Sequence, residues 1–385
     1  MIVDLHAHYP MHLLPQEQRN THQFVLDWPD SRWRSVVLQV LSKLFNYQGP
    51  GDTPSVRVDL MQQGNVGAAL SVLYAPFDEM DLDEPYGAPP KPSYIKSVRE
   101  QMDLVESAVA ADAQNAAMSR NPAQLKQTID SGRIALVHCI EGGFALGATE
   151  AEITANVREL ADRGVAYVTL AHLFYRGIAQ NAPALPFLPD WLYKVVFPQK
   201  AKTGLTPLGV AAVRAMVEHR VLVDVTHMND LAIEHTLEVL DETGAKPPLI
   251  ASHIACRLGT AGYNLSDAVI REIGERGGVI GVISCEHWAT DGLKKAKTFE
   301  QSFEILGRHV DRIHRETGSY DNIAIGSDLD GFIKPALKGL EHMGCMKALE
   351  AALIARYGAT VAEQICSGNM LGLLDRYWRG APVTA

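Results

Sequence analysis

Ile2-Val3-Asp4-Leu5-His6-Ala7-His8 is an apolar run that ends with imidazoles at two alternate positions, and its reading decides the rest of the chain. Alternate residues of a β-strand share a face, so the spacing predicts a strand that projects Asp4, His6 and His8 together. Two imidazoles so aligned can hold one metal ion, although they can equally form a hydrogen-bonded structural pair. Further short apolar runs follow at 66–74, 134–140, 165–172, 221–227, 249–253, 278–284 and 322–328. Each is rich in Val, Ile, Leu and Ala and nearly free of charge, as strands buried on both faces of a parallel sheet must be. Helical patterns separate them at 95–117, 150–163, 207–219, 230–242, 266–276, 299–317 and 336–357. Eight strands alternating with helices over 385 residues predict an α/β fold. It is read as a single (β/α)8 TIM-type barrel domain spanning 1–385, with insertions after strands 1, 2 and 4. An open doubly wound sheet fits less well, because no Gly-x-Gly-x-x-Gly loop follows the first strand.

Local signals agree with these boundaries. Ser266 can cap the helix that begins Asp267-Ala268-Val269, and Thr206-Pro207 offers a cap followed by proline at the first helical position. Gly164, Gly244 and Gly277-Gly278 stand where helices should stop. Two stretches break the alternation: 10–57, with Trp28 and Trp33, and 173–205, with Pro183, Pro186 and Pro189. Both follow strands, so both are expected on the face where a barrel carries its active site, as lids or pocket walls.

Composition narrows the setting. A net charge of −10 and a pI near 5.8 offer no basic surface for nucleic acid. Five cysteines without a Cys-x-x-Cys pair indicate neither a disulfide framework nor a thiolate zinc site, and read as buried thiols in a reducing compartment. With no charged-then-apolar leader and no apolar run of membrane length, the expected location is cytoplasmic and the expected partner a small-molecule substrate. Two-fold homodimers are the commonest soluble assemblies, and a homodimer is among the partners expected here.

The chemistry sits at the strand ends. Glu141 closes the third run before Gly142-Gly143, His227 the fifth, His253 the sixth, and Asp328 the eighth before Leu329-Asp330-Gly331. In a barrel these ends converge on one mouth. Together with His6 and His8 they supply four imidazoles and two carboxylates, enough for two divalent ions sharing a bridging carboxylate, a mixture that suits Zn2+.

Taken together, Ile140-Glu141-Gly142-Gly143, Thr169-Leu170-Ala171-His172, Val223-Asp224-Val225-Thr226-His227, Ala251-Ser252-His253 and Gly326-Ser327-Asp328-Leu329-Asp330-Gly331 resemble the motifs of the renal or membrane dipeptidases. That family belongs to the amidohydrolase superfamily of (β/α)8 metal hydrolases, and the resemblance runs from Asp4 to the Gly368-Asn369-Met370-Leu371 segment. It implies that His6 and His8 hold one zinc, that His227 and His253 hold the second, and that Glu141 bridges them. Asp328 is then the general base or proton shuttle, and His172 faces the substrate carbonyl. Two zinc ions about 3.5–4 Å apart can lower the pKa of a bridging water toward about 7, so the implied chemistry is attack of a metal-bridging hydroxide on a small amide.

The chain departs from the family at two points. The first strand carries His6-Ala7-His8 where the dipeptidases have His-x-Asp. Tyr263, in Tyr263-Asn264-Leu265-Ser266-Asp267, stands where an arginine would hold the substrate carboxylate. A phenol can hydrogen-bond a carboxylate but supplies no charge, so Arg257 or Arg176 is the candidate to compensate. Three readings stay open: a binuclear zinc dipeptidase, a superfamily relative acting on another amide, lactone or ester, and a metal-binding barrel without turnover.

Overall fold

Apolar runs that alternate with helical patterns close into a ring. The computed structural model describes residues 1–14, 53–79, 87–185, 188–199, 204–244, 246–331 and 336–380. Its strands are β1 (Ile2–Ala7), β2 (Val66–Leu73), β3 (Ala116–Met118), β4 (Ile134–Glu141), β5 (Tyr167–Thr169), β6 (Leu222–Asp224), β7 (Leu249–Ile254), β8 (Ile280–Val282) and β9 (Ile323–Ile325). Eight of them form the expected (β/α)8 barrel, all parallel, running β1-β2-β4-β5-β6-β7-β8-β9 and back to β1.

The extra strand, β3, lies where the helix over 95–117 was expected to end. That helix, Tyr94–Ala111, stops because Asp112 and Asn115 bond each other: Asn115 Nδ2 donates to Asp112 Oδ1 at 2.7 Å and Asn115 N to Asp112 O at 2.9 Å. The next three residues pair with Ile134–Leu136 of β4, on the edge that β5 takes up nearer Glu141. A helix at Pro122–Asp130 follows, which the apolar period does not announce because its buried residues are Leu125 and Thr128. The helix read over 336–357 is likewise confined to Met346–Tyr357. Its first part instead pairs with the loop after β8, Leu337 N donating to Ser284 O at 2.8 Å, and Gly339 turns the chain in the left-handed region at φ +84°. β5, β6 and β9 are shorter than their apolar runs, which continue past the last ladder pair into loops that carry His172, His227 and Asp328.

Expected caps form. Ser266 accepts from Val269 N, and Thr206 accepts from Gly209 N with Pro207 next in the chain. Gly164 adopts φ +89° after the helix Glu150–Asp162, a backbone state that a side chain resists.

Inside the ring, Val3 and Leu5 pack with Ala135, Val137, Cys139 and Leu222, and the helix Asn369–Tyr377 with Trp378 covers this core from the N-terminal end. The register of β1 against β2 shifts between Asp4 and Ala7. This breaks the simple alternation expected of Asp4, His6 and His8. Asp4 turns its carboxylate to the amides of His6 and Ser327, each at 3.0 Å, while His6 and His8 share a side.

Most of the 10–57 insertion, with Trp28 and Trp33, lies outside the described residues. The 173–205 insertion carries the helix Asp190–Val196, flanked by clefts of about 520 and 760 Å³. It is fastened to the barrel mouth by Ala182 N, which donates to His227 O at 2.7 Å. Among the described residues, no helix is long and apolar enough to cross a membrane.

Candidate metal centre

At the C-terminal ends of the strands, five elements aim side chains at one point. The bulge in β1 brings His6 Nε2 and His8 Nε2 within 3.2 Å of each other. Across the mouth His227 Nε2 and His253 Nε2 stand 3.0 Å apart. Glu141, at the end of β4, lies between the pairs: Oε1 is 3.2 Å from His227, 3.4 Å from His253 and 3.4 Å from His6, and Oε2 is 3.5 Å from His8. Asp328 Oδ1 approaches His8 Nε2 at 3.2 Å and His6 Nε2 at 4.0 Å.

Hydrogen bonding alone does not account for this cluster. Among the described residues Glu141 Oε2 has no hydrogen-bond donor although it is buried, and nitrogens facing nitrogens cannot all be satisfied by one carboxylate. Two nitrogens about 2.0–2.1 Å from a tetrahedral zinc lie about 3.3 Å apart, close to the separations seen within each pair. The donor set fits divalent ions.

Electrostatics separate the imidazoles: burial would lower His6, but Glu141 and Asp328 outweigh it and raise His6 above the ordinary histidine value. Burial alone would raise Glu141, but the imidazoles of His172, His6 and His227 outweigh it and hold the carboxyl well below its usual range. Burial, with His6 alongside, pushes His253 well below the ordinary histidine value, and burial with His172 lowers His227. Both are therefore neutral imidazoles, the ligating form. His227 at φ +68° and Asp328 at φ +57° hold left-handed backbone states that cost a non-glycine residue about 1–3 kcal/mol. The surrounding packing imposes them, and they lie at the site.

His172 stands beside the cluster, its Nε2 3.4 Å from Glu141 Oε2. Its Nδ1 is 2.8 Å from Glu79 Oε2, and Glu79 also accepts from Phe174 N at 2.8 Å and from the Tyr74 hydroxyl. Burial opposes a charge on His172, yet Glu141 and Glu79 prevail and raise it to about 9.

Tyr263 is buried against His227, ring centroids 5.1 Å apart, and stacks on Trp288 at 3.9 Å. Its hydroxyl has no hydrogen-bond partner among the described residues, and burial raises its pKa well above the ordinary phenol value. The two arginines are engaged elsewhere. Arg257 makes a bidentate pair with Asp230 at 2.9 and 2.8 Å and donates to Asn264 O and Gly262 O, which fastens the segment that carries Tyr263. Arg176 is buried and donates from Nε to Glu79 O.

Glu79, Asp224 and Ser252 were not singled out as site residues from the sequence. Glu79 ends the short helix Pro76–Glu79 that follows β2 on the mouth side of the barrel, six residues beyond the strand, so the strand-end rule does not reach it. Asp224 and Ser252 stand inside motifs already quoted, but their polar side chains lie behind His6 and His253, on the side away from Glu141.

Three comparisons with known proteins bear on this arrangement. The sequence profile of the membrane dipeptidase family, peptidase family M19, matches residues 1–377. Dipeptidase verJ of Clonostachys rogersoniana is 24% identical over 318 residues, covering 82% of this chain and 73% of that protein. Dipeptidase 3 of Mus musculus is 24% identical over 326 residues, covering 82% of this chain and 56% of that protein. Among solved structures, a family M19 metallopeptidase described as dipeptidase AC superposes with a TM-score of 0.73 at 18% identity, over 98% of each chain. A metallopeptidase from Rhodobacter sphaeroides, liganded with a phosphinate mimic of the dipeptide L-Ala-D-Ala, superposes with a TM-score of 0.71 at 19% identity, over 98% of this chain and 99% of that one.

Proposed function

We propose, from the premise that the chain belongs to the membrane dipeptidase family and is a metal-dependent hydrolase, that it is a binuclear zinc dipeptidase. The observation that carries the reading is the convergence of four imidazole Nε2 atoms and the Glu141 carboxylate at the barrel mouth. His6 and His8 would hold one ion, His227 and His253 the other, with Glu141 between them. Ions bound there supply a Lewis acid for the scissile carbonyl and a water of lowered pKa.

The chain's own residues do the rest. Asp328 Oδ1, on the His6–His8 side, takes the proton of the attacking water and delivers it to the leaving amine. His172, held from behind by Glu79, donates from Nε2 to the oxygen on which charge develops. Tyr263 turns an unsatisfied hydroxyl to the substrate. All five cysteines are free thiols, which supports the cytoplasmic location read from the sequence.

Tyr263 also favours a second reading, a substrate without a free carboxylate, such as another amide, a lactone or an ester. Zinc-loaded protein assayed on dipeptides, N-acyl amino acids and lactones separates the two. Turnover of dipeptides above the other classes supports the dipeptidase, and turnover confined to lactones or blocked amides replaces it with the second reading. A metal-binding barrel without turnover has Asp328 against it, because a purely structural site needs no spare carboxylate at its open face.

A further inference from the structure

Behind the imidazoles lies a buried polar unit with no role in the reaction as described above. Ser252 precedes His253 on β7 and is fully buried. Its Oγ is 2.6 Å from Asp224 Oδ2, 2.9 Å from His253 Nδ1 and 3.1 Å from His6 Nδ1. A hydroxyl has one hydrogen and two lone pairs, so these three contacts fill it. Asp224 acts only as an acceptor: Oδ1 takes Thr226 N, Thr226 Oγ1 and Ser252 N at 3.0, 2.7 and 3.0 Å, and Oδ2 takes Thr169 Oγ1 at 2.5 Å. The Ser252 hydrogen therefore goes to Asp224. Both lone pairs are left for the Nδ1–H groups of His6 and His253.

That assignment leaves Nε2 of both rings without hydrogen, and these are the atoms turned toward Glu141 at 3.4 Å. We propose that Asp224 and Ser252 form a positioning unit shared by the two ion sites, one hydroxyl fixing the tautomer and tilt of an imidazole from each pair. Asp224 lies near enough to His6 and His253 to suggest a ligand itself. Its five donors leave the carboxylate saturated, so it serves the ligands rather than joining them.

The unit does not hold the two rings equally. His6 Nδ1 has a second acceptor, the Tyr167 hydroxyl at 2.8 Å, whose own hydrogen goes to Leu5 O at 2.9 Å. His253 Nδ1 has Ser252 alone among the described residues. The Ser252 backbone is also pinned, because β8 and β9 pass so close that a Cβ at Gly281 or Gly326 would stand 1.9 Å from Ser252 O. Loss of the hydroxyl should thus weaken the His227–His253 site more than the His6–His8 site.

The test is a zinc titration of metal-depleted full-length protein against a chromophoric chelator, for wild type, Ser252→Ala, Ser252→Thr and Asp224→Asn. The proposal rests on the two-ion reading, and the wild type reports on that separately: fewer than two zinc ions bound overturns both. With two bound, Ser252→Ala should weaken one site about ten- to a hundredfold and the other less than about threefold, the usual range for a lost outer partner. Ser252→Thr, which keeps the hydroxyl, should restore the weak site. Asp224→Asn, whose amide can donate to Ser252, should reproduce the selective loss if the threonine variant does not fold. Unchanged zinc affinity in Ser252→Ala overturns the proposal. So does an equal fall at both sites with a lower unfolding temperature of the metal-free protein, which marks a merely structural role.

Discussion

The two imidazole pairs are built differently. His6 lies in β1 and His8 directly after its end, two residues apart, beside the register shift between Asp4 and Ala7. His227 and His253 come from the ends of different strands. The first sits in a left-handed turn that the 173–205 insertion grips through Ala182, and the second leans on Ser252. The first pair is a local motif and the second a product of closure. Local pairs keep their geometry whenever the strand forms, whereas the second pair depends on neighbours that come from several parts of the chain. The sharpest break in the comparison is therefore removal of one member from each pair. His8→Ala and His227→Ala should each lose one zinc equivalent by metal analysis, with activity at background. If His227→Ala retains both ions, the second pair does not form a site of its own.

A smaller effect is expected beside the first pair. Asp328 lies 3.2 Å from His8 but is read as a proton carrier rather than a ligand. Asp328→Asn should keep both ions and lose about two to four orders of magnitude in kcat, the usual worth of general acid–base catalysis. Near-full activity would reassign the proton to His172; loss of an ion would make Asp328 a ligand of the His6–His8 site.

Next comes Glu79, which reaches the cluster only through His172. Glu79→Gln exchanges a hydrogen bond between two charged groups for one to a neutral acceptor. Such bonds are worth about 1.5–3 kcal/mol, so kcat should fall about ten- to a hundredfold. Zinc content should not change, and KM should move little, because the bond matters most as charge develops on the substrate oxygen. A fall in KM-dependent binding alone would make His172 a substrate contact without a part in the chemical step.

The same contrast explains what could be read from the sequence. The barrel was legible because each strand is a charge-free run and each helix an amphipathic one. His6 and His8 were legible as a spacing. Glu141, His227, His253 and Asp328 could be gathered only by assuming that strand ends meet. The structure brings these side chains within about 3–4 Å of one another, but no pattern in the chain specifies that distance. The Asp4 departure has a related origin: alternation is a rule for regular strands, and the register of β1 against β2 shifts between Asp4 and Ala7. Likewise β3 is three small or flexible residues that continue a helical apolar period, and only pairing with β4 makes them a strand.

The smallest effect tests the side of the mouth next to His227. Tyr263 is buried there with an unsatisfied hydroxyl, where the family resemblance puts an arginine. A dipeptide carboxylate would then receive one hydrogen bond from a neutral donor in place of a bidentate pair from a cation. That difference is worth roughly 1.5–3 kcal/mol, or about one to two orders of magnitude in binding. Amidating or esterifying the C-terminal carboxylate of a test dipeptide should therefore change kcat/KM by only about threefold, since little charge recognition is left to lose. Preference for the free acid by more than about a hundredfold would require a cation at that end of the substrate. Arg257→Ala and Arg176→Ala would then locate it, and each has a distinguishable cost. Arg257 is bound to Asp230 and to the backbone that carries Tyr263, so its loss should also disturb turnover of the amidated substrate. Arg176 donates to the Glu79 carbonyl, so its loss should act on kcat through His172 as well. Only a defect confined to the free acid identifies a carboxylate-binding arginine, and that result would retain the plain dipeptidase and remove the lactone and blocked-amide reading.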